Sequence, residues 1–406
     1  MLLLHLMSAL FPQRVRALYV DHQLQSLSSS WAEFVQNQCE LLNVPCVIER
    51  VTVAEGNLEQ QARLARYAAF EKHLGANEIV VLAHHQQDQA ETVLLRLFSG
   101  TGVNGLSAMR ELDVRDDLTL WRPLLDMPRE HIEAWVNQVS ISYIDDPTNL
   151  DTHYDRAWSR QELWPLINSR FPKMQQAIAR TSVLMQDASD MLQEIYQQDL
   201  AQCGNADALD LDQYAHLSEP RQRQLLSNWM KGEAGYRPSL DMVQRLQREV
   251  IGAKQDAQAL LQVADYYYLR YQRQLVRLSS EVYLAAQQIL PTAESNFQLH
   301  DVINLPSGRF HIQESPDVGL SFALLGKALY LDARQGGEKI HLFGRVGHWP
   351  LKKALQERKI APWQRQTIQI LRIENVMLGV FTPQGFWLAQ SPYCVEGGWL
   401  PKWVSL

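Results

Sequence analysis

The chain has 406 residues, 46% of them hydrophobic and 20% charged, with a formal net charge of −7. That length exceeds one ordinary core and that composition excludes dominant disorder, so two or three globular domains are expected. The negative balance excludes a uniformly basic nucleic-acid coat, and apolar runs such as 79–83 are too short to span a bilayer.

The first six residues are greasy, but no basic segment precedes them and no small-residue cleavage site is evident, so a cytoplasmic location without membrane attachment is expected. Periodicity predicts a helix over 1–10, a strand over 15–20, an amphipathic helix over 30–42, a strand over 44–53, a helix over 58–73, a buried-type strand over 78–83 and a helix over 87–98. This βαβα order predicts an α/β fold, a Rossmann-like parallel sheet covered by helices. Ligands of such sheets bind at strand carboxyl ends and helix N-termini, which directs attention to the loops 21–26 and 84–88. Helical segments follow over 177–203, 219–231 and 239–250, then a β-like stretch over 266–278. Beyond the polar stretch 290–296 the pattern changes to short strands with Gly and Pro turns, and a helix over 350–358 precedes the dipeptide Pro362-Trp363. The expected domains are therefore 1–175, a mostly helical 176–290, and a small α+β domain over 297–406. Cys39, Cys46, Cys203 and Cys394 form no C-x-x-C pair, which speaks against a zinc ribbon or a dithiol redox site.

The strongest local signal is AHHQQDQAET at 83–92, polar residues at the junction of an apolar strand and a helix. His84 and Asp88 are four apart, and Glu91 and Thr92 continue the same helical face. A helix start there suits phosphate, and Asp88 could hold a magnesium ion or orient a nucleophile; the alternative is that Asp88 only supports the helix start. Downstream, SGTGVNGL at 99–106 contains Gly100, Gly102 and Gly105, which permit close backbone approach to a ligand. Upstream, Arg63 and Arg66 are helical neighbours able to clamp phosphate. A lone Gly-rich turn or a lone Arg pair is more often structural. Between Arg334 and Arg372 there are nine basic residues against two acidic ones, a patch for an anionic partner or else a solvated helix face.

Seven strings in one order, VDHQL (20–24), EQQARLARY (59–67), AHHQQDQAET (83–92), SGTGVNGLSAM (99–109), RPLL (122–125), DDPTN (145–149) and YDRAWSR (154–160), resemble the tRNA(Ile)-lysidine synthase family. The resemblance continues to Lys352-Lys353 and Pro362-Trp363. It implies an N-type ATP pyrophosphatase domain followed by tRNA-binding domains. Its partners would be free lysine and the isoleucine tRNA with a CAU anticodon, and a homodimer stays open. ATP would adenylate the C2 carbonyl oxygen of the wobble cytidine, and the lysine ε-amine would attack C2 and release AMP. The resemblance gives Asp88 the positioning of lysine or Mg2+ and sets His84 beside the activated nucleotide. It puts Val20, His22, Arg63, Gly100 and Gly102 on the ATP side, and Arg66, Arg122, Arg156, Arg160, Lys352 and Lys353 on the tRNA.

The family's S-G-G-x-D-S loop would lie just ahead of Leu3-Leu4-His5, so Met1 is expected to be an internal methionine of a longer protein, and the chain as given is expected to form little or no lysidine. Gln87 stands where relatives carry a second acidic residue, which weakens a paired-carboxylate metal site. Ala157 replaces an asparagine. Two alternatives stay open: a non-catalytic tRNA-binding remnant, and a tRNA thiolase of the same superfamily, which the lack of clustered cysteines disfavours. Replacing Lys352 and Lys353 together by alanine is expected to weaken tRNA binding and reduce its dependence on salt, measured by titration at several ionic strengths; an unchanged salt slope removes both from the interface.

Overall fold

The computed structural model describes residues 1–25, 27–56, 58–115, 118–231, 237–254, 259–288 and 291–404; Ser26, at the end of the 21–26 loop, and Leu290, at the expected domain boundary, lie outside the described residues. The chain divides into two compact units, Met1–Ile195 and Tyr196–Leu406.

The first unit follows the alternation of its sequence: α1 (Leu2–Leu10), β1 (Ala17–Asp21), α2 (Ser28–Leu41), β2 (Cys46–Arg50), α3 (Leu58–His73), β3 (Val80–Val81) and α4 (Gln86–Phe98). A short turn of helix, α5 (Val103–Leu106), leads to β4 (Leu112–Arg115), β5 (Leu118–Trp121) and α6 (Arg129–Val139). β1 pairs in parallel with β2, Ala17 facing Cys46 and Asp21 facing Arg50. β3 pairs in parallel with β5, and β4 adds antiparallel to the far edge of β5. The single parallel sheet expected from sequence is thus two ladders, one of two strands and one of three. Side chains unite them: Leu18 and Val20 of β1, Val80 and Leu82 beside β3, and Leu118 and Leu120 of β5 pack with Phe70 of α3 in one apolar cluster. Burial of a shared face therefore does what backbone pairing does not.

After α6 come a 3-10 turn (Pro147–Leu150), α7 (Asp155–Trp158), a π-helical turn (Ser159–Leu163), α8 (Trp164–Arg170) and α9 (Met174–Cys203), within which the unit boundary falls. Gln89 fixes the start of α9 to the body of the unit, accepting from Met109 N–H at 3.0 Å and donating to Ser182 Oγ at 2.9 Å.

In the second unit, α10 (Leu211–His216), α11 (Glu219–Lys231) and α12 (Leu240–Arg245) pack on an antiparallel sheet of β6 (Ala208–Asp210), β7 (Leu260–Val263), β8 (Tyr266–Tyr271) and β9 (Gln274–Ser279), in the order β6-β9-β8-β7. The β-like stretch 266–278 is the β8–β9 hairpin, and its inward residues Tyr268 and Leu275 are fully buried with Trp229 and Leu225 of α11. Beyond α13 (Ser280–Ala285) the chain forms two five-stranded antiparallel sheets whose facing sides bury Phe310, Leu371, Phe381 and Trp399, with α14 (Leu351–Glu357) packed through Leu351 and Leu355. No helix among the described residues is long and apolar enough to cross a membrane.

The strand Val376–Thr382 admits no side chain at Gly379, where a Cβ would stand 2.1 Å from Phe386 Cζ and 2.6 Å from the Trp387 carbonyl oxygen. Gly379→Ala is expected to destabilise this region by about 1–3 kcal/mol, read as a lowered urea midpoint by tryptophan fluorescence.

Candidate active site

The junction of β3 and α4 is built as its polar residues require. Leu82 N–H still donates to the Trp121 carbonyl at 2.8 Å, and His85 then turns extended to begin the helix. Asp88 reaches back, its Oδ2 accepting the His85 N–H at 3.0 Å. This carboxylate therefore does support the helix start.

Its other oxygen does more. Asp88 Oδ1 accepts from Arg160 Nη2 at 3.4 Å, and Arg160 grips Glu91 one turn along α4, Nε to Oε1 at 2.7 Å and Nη2 to Oε2 at 2.9 Å. Glu91 has no solvent exposure and also accepts from Gln87 Nε2 at 3.1 Å. A buried carboxylate needs such partners, because an unpaired one would cost several kcal/mol. Arg160 also approaches Asn149 Oδ1 at 3.5 Å, so α4, the 3-10 turn and the π-turn meet at one guanidinium.

Arg160 also lines a cavity of about 790 Å3, within the size range of ligand sites. The far wall is the carboxyl end of β1, with Tyr19, Val20, Asp21 and His22, joined by Trp31 and Phe34 of α2; Asp146, Tyr154 and Arg156 complete the near side. Asp88 and His84 do not line it; Asp88 meets Arg160, whose side chain connects that carboxylate to the cavity.

Charge in this region is mixed and closely coupled. His84 is pushed down to about 4, chiefly by burial, with Asp88 opposing and Arg122, Arg66 and Arg156 reinforcing. Burial and Arg66 likewise lower His22, against Asp21. Arg66 is itself held below its ordinary value by burial and by Arg63. The Nδ1 atoms of His22 and His84 are buried with no hydrogen-bond partner among the described residues, which leaves acceptors or donors free for a ligand.

The expected site residues thus sort into groups. Val20 and His22 line the cavity, Arg156 lines it while pairing with Glu59 at 3.3 Å, and Arg66 lies close enough to depress both histidines. Arg63 does not line the cavity but lies back on Tyr67, 3.0 Å from its hydroxyl and 4.7 Å from its ring centroid. Gly100 and Gly102 are exposed in the turn after α4, away from the cavity wall, and Arg96 ties that turn together through the Gly105 and Ala108 carbonyls at 2.8 and 3.2 Å. Arg122 is only 1% exposed, donating to the Arg110 carbonyl at 2.7 Å and facing Asp113 at 3.6 Å, so in this structure it braces β4 and β5 and offers tRNA no surface. Lys352 and Lys353 are exposed on α14 in the second unit. Glu91 carries no role in the sequence reading, its spacing three residues after Asp88 being the available signal, whereas Asn149 lies in the 145–149 segment that the family resemblance sets against substrate.

A metal-ion site around Asp88 is not assembled among the described residues. Both its oxygens are engaged, and no group of three His, Cys, Asp or Glu side chains among the described residues is placed to hold a metal ion.

Residues 1–167 match the family model described as the PP-loop domain, 209–276 the TilS substrate binding domain, and 329–392 the TilS substrate C-terminal domain. With parallel strands ending on a ligand-sized cavity, this defines a PP-loop ATP-using protein carrying two substrate modules. Relatives named tRNA(Ile)-lysidine synthase include that of Acinetobacter baylyi, 58% identical over 100% of this chain and 88% of its own length. Those of Chromobacterium violaceum (34% identity; 95% and 88%) and Serratia proteamaculans (32%; 94% and 90%) match over similar spans. The chain belongs to the tRNA(Ile)-lysidine synthase family.

With its folded value near 4, His84 stays neutral through the physiological range. Between about pH 6.5 and 4 the unfolded chain binds a proton at this position and the folded chain does not, so stability falls as pH is lowered through that window. The His84 imidazole resonance is expected to titrate near pH 4 by NMR; a midpoint near 6.5 would mean an imidazole open to solvent.

Proposed function

We propose that the first unit performs its chemistry at the Asp88–Glu91–Arg160 cluster and the adjoining cavity. As a member of its family the chain is an ATP-dependent ligase that makes lysidine on an isoleucine tRNA. The carrying observation is the cluster's charge: two carboxylates face one guanidinium, which leaves room for one further cation. The ε-ammonium of free lysine fits that requirement, and Asp88, the less buried of the two carboxylates, is the group to meet it. No step is assigned to magnesium.

The C2 carbonyl oxygen of the cytidine bonds to the α-phosphorus of ATP, the α–β phosphoanhydride bond breaks and pyrophosphate leaves, so that C2 carries an activated leaving group. The cavity wall offers aromatic surface from Trp31 and Phe34 for a base, while Arg156 on the wall and Arg66 near His22 and His84 supply positive charge for phosphate oxygens. The lysine nitrogen, once it has lost its proton, bonds to C2, the C2–O bond breaks, and AMP departs with the oxygen. His84, neutral and with a free Nδ1, can accept a hydrogen bond beside this centre without adding a competing charge. Holding amine and base together removes most of the entropic cost of their meeting. The second unit holds the tRNA, Lys352 and Lys353 contacting phosphates, in a cytoplasmic reaction.

Asp88→Ala is expected to lower lysidine formation at least about a hundredfold, as loss of a positioned charged group does, while tRNA affinity changes little. Nucleoside mass analysis after incubation with tRNA, lysine and ATP measures the first, and a binding titration the second. An undiminished lysidine yield would place the reaction elsewhere.

A further inference from the structure

One exposed feature of the second unit has no part in the scheme above. Lys339–Ile340 pairs with Trp349–Pro350, and between them the chain projects as a loop. Its outer side chains are apolar: Val346 is 96% exposed, the highest value among the exposed large hydrophobic side chains described, with Phe343 at 40% and Trp349 at 38%.

This loop is braced. Phe343 N–H donates to the Leu388 carbonyl at 3.0 Å, and a ring nitrogen of His341 contacts the Arg345 carbonyl at 2.8 Å. The Trp349 indole N–H donates to the Val346 carbonyl at 3.3 Å, and the Arg345 guanidinium lies 5.7 Å from the indole centroid while pairing with Glu357 at 3.1 Å. Gly344 and Gly347, at φ +78° and +81°, supply the left-handed turns on either side of the tip. The shape is therefore set before any ligand arrives.

Its surroundings are cationic. Lys339, Lys352, Lys353, Arg358 and Lys359 are exposed and form no ion pair among the described residues, whereas the local acids Glu338 and Glu357 are taken by Arg334 and Arg345. A small fixed apolar tip ringed by free lysines matches a nucleobase face flanked by phosphates. A protein partner would call for a broader apolar patch than three side chains provide.

We propose that the 343–349 loop is an RNA wedge, packing Val346 and Trp349 against an unpaired or terminal base of the tRNA while Lys352 and Lys353 hold neighbouring phosphates. This rests on the tRNA reading of the second unit given above. The test is binding of isoleucine tRNA to the full chain, by fluorescence anisotropy at several salt concentrations, for Val346→Ser, Trp349→Ala and the Lys352→Ala, Lys353→Ala double variant. Val346 is almost wholly exposed, so Val346→Ser should melt at the wild-type temperature. The wedge requires roughly tenfold weaker binding in Val346→Ser and at least as much in Trp349→Ala, with the salt slope unchanged because no phosphate contact is lost. Wild-type affinity in both loop variants, with a reduced slope in the lysine variant, overturns the wedge and leaves the tRNA reading standing. Wild-type behaviour in all three overturns the tRNA reading of this surface as well. Unchanged RNA affinity together with altered sedimentation of Val346→Ser would assign the tip to contact between copies of the chain and likewise sink the wedge.

Discussion

The first unit depends on satisfying one buried charge. Glu91 sits on the inner face of α4 without solvent, and its carboxylate is tolerated because Arg160 covers both oxygens. That pairing obliges the π-turn at 159–163 to lie against α4, brings Asn149 alongside and presents Arg160 to the cavity. Asp88 then meets the same guanidinium at longer range. The geometry of the proposed reaction site thus follows from an electrostatic requirement of the interior.

The rest of the site is organised by what this pairing leaves unbalanced. Arg66, Arg122 and Arg156 surround His84 closely enough that burial and their charge together keep it neutral. Of these arginines, Arg122 belongs to the scaffold: its guanidinium closes the β4–β5 edge and never reaches the surface. The second unit handles charge in the opposite way. Around α14 the acidic side chains are drawn into local pairs, Glu338 with Arg334 and Glu357 with Arg345, so that lysines there stand unneutralised on a chain whose overall balance is negative. Such local sorting allows an acidic protein to present a cationic face.

Much of this was legible beforehand. Helix α3 has the bounds that the sequence predicts, 58–73, and α4 begins within one residue of expectation, because both are runs of strong helix formers such as Ala, Leu, Gln, Glu and Arg. The strands were less legible. The stretch 78–83 reads as a full buried strand, but only Val80 and Val81 enter a ladder, since pairing needs a neighbour at the right register and periodicity contains no neighbour. The stretch 266–278 reads as β-like without revealing that it folds back as a hairpin at Tyr271–Gln274.

The sequence by itself determined the family, the alternation of elements, and the place of the strand-to-helix corner at Asp88, because these reside in local order and spacing. Only the tertiary structure decided which cations belong to the site. Arg63, Arg66, Arg122, Arg156 and Arg160 are equivalent as letters, yet one lies back on a tyrosine, one is sealed beneath an edge strand, and one joins two carboxylates to a cavity. The charge of an arginine is intrinsic, whereas its burial and its partners arise from contacts between segments distant in the chain.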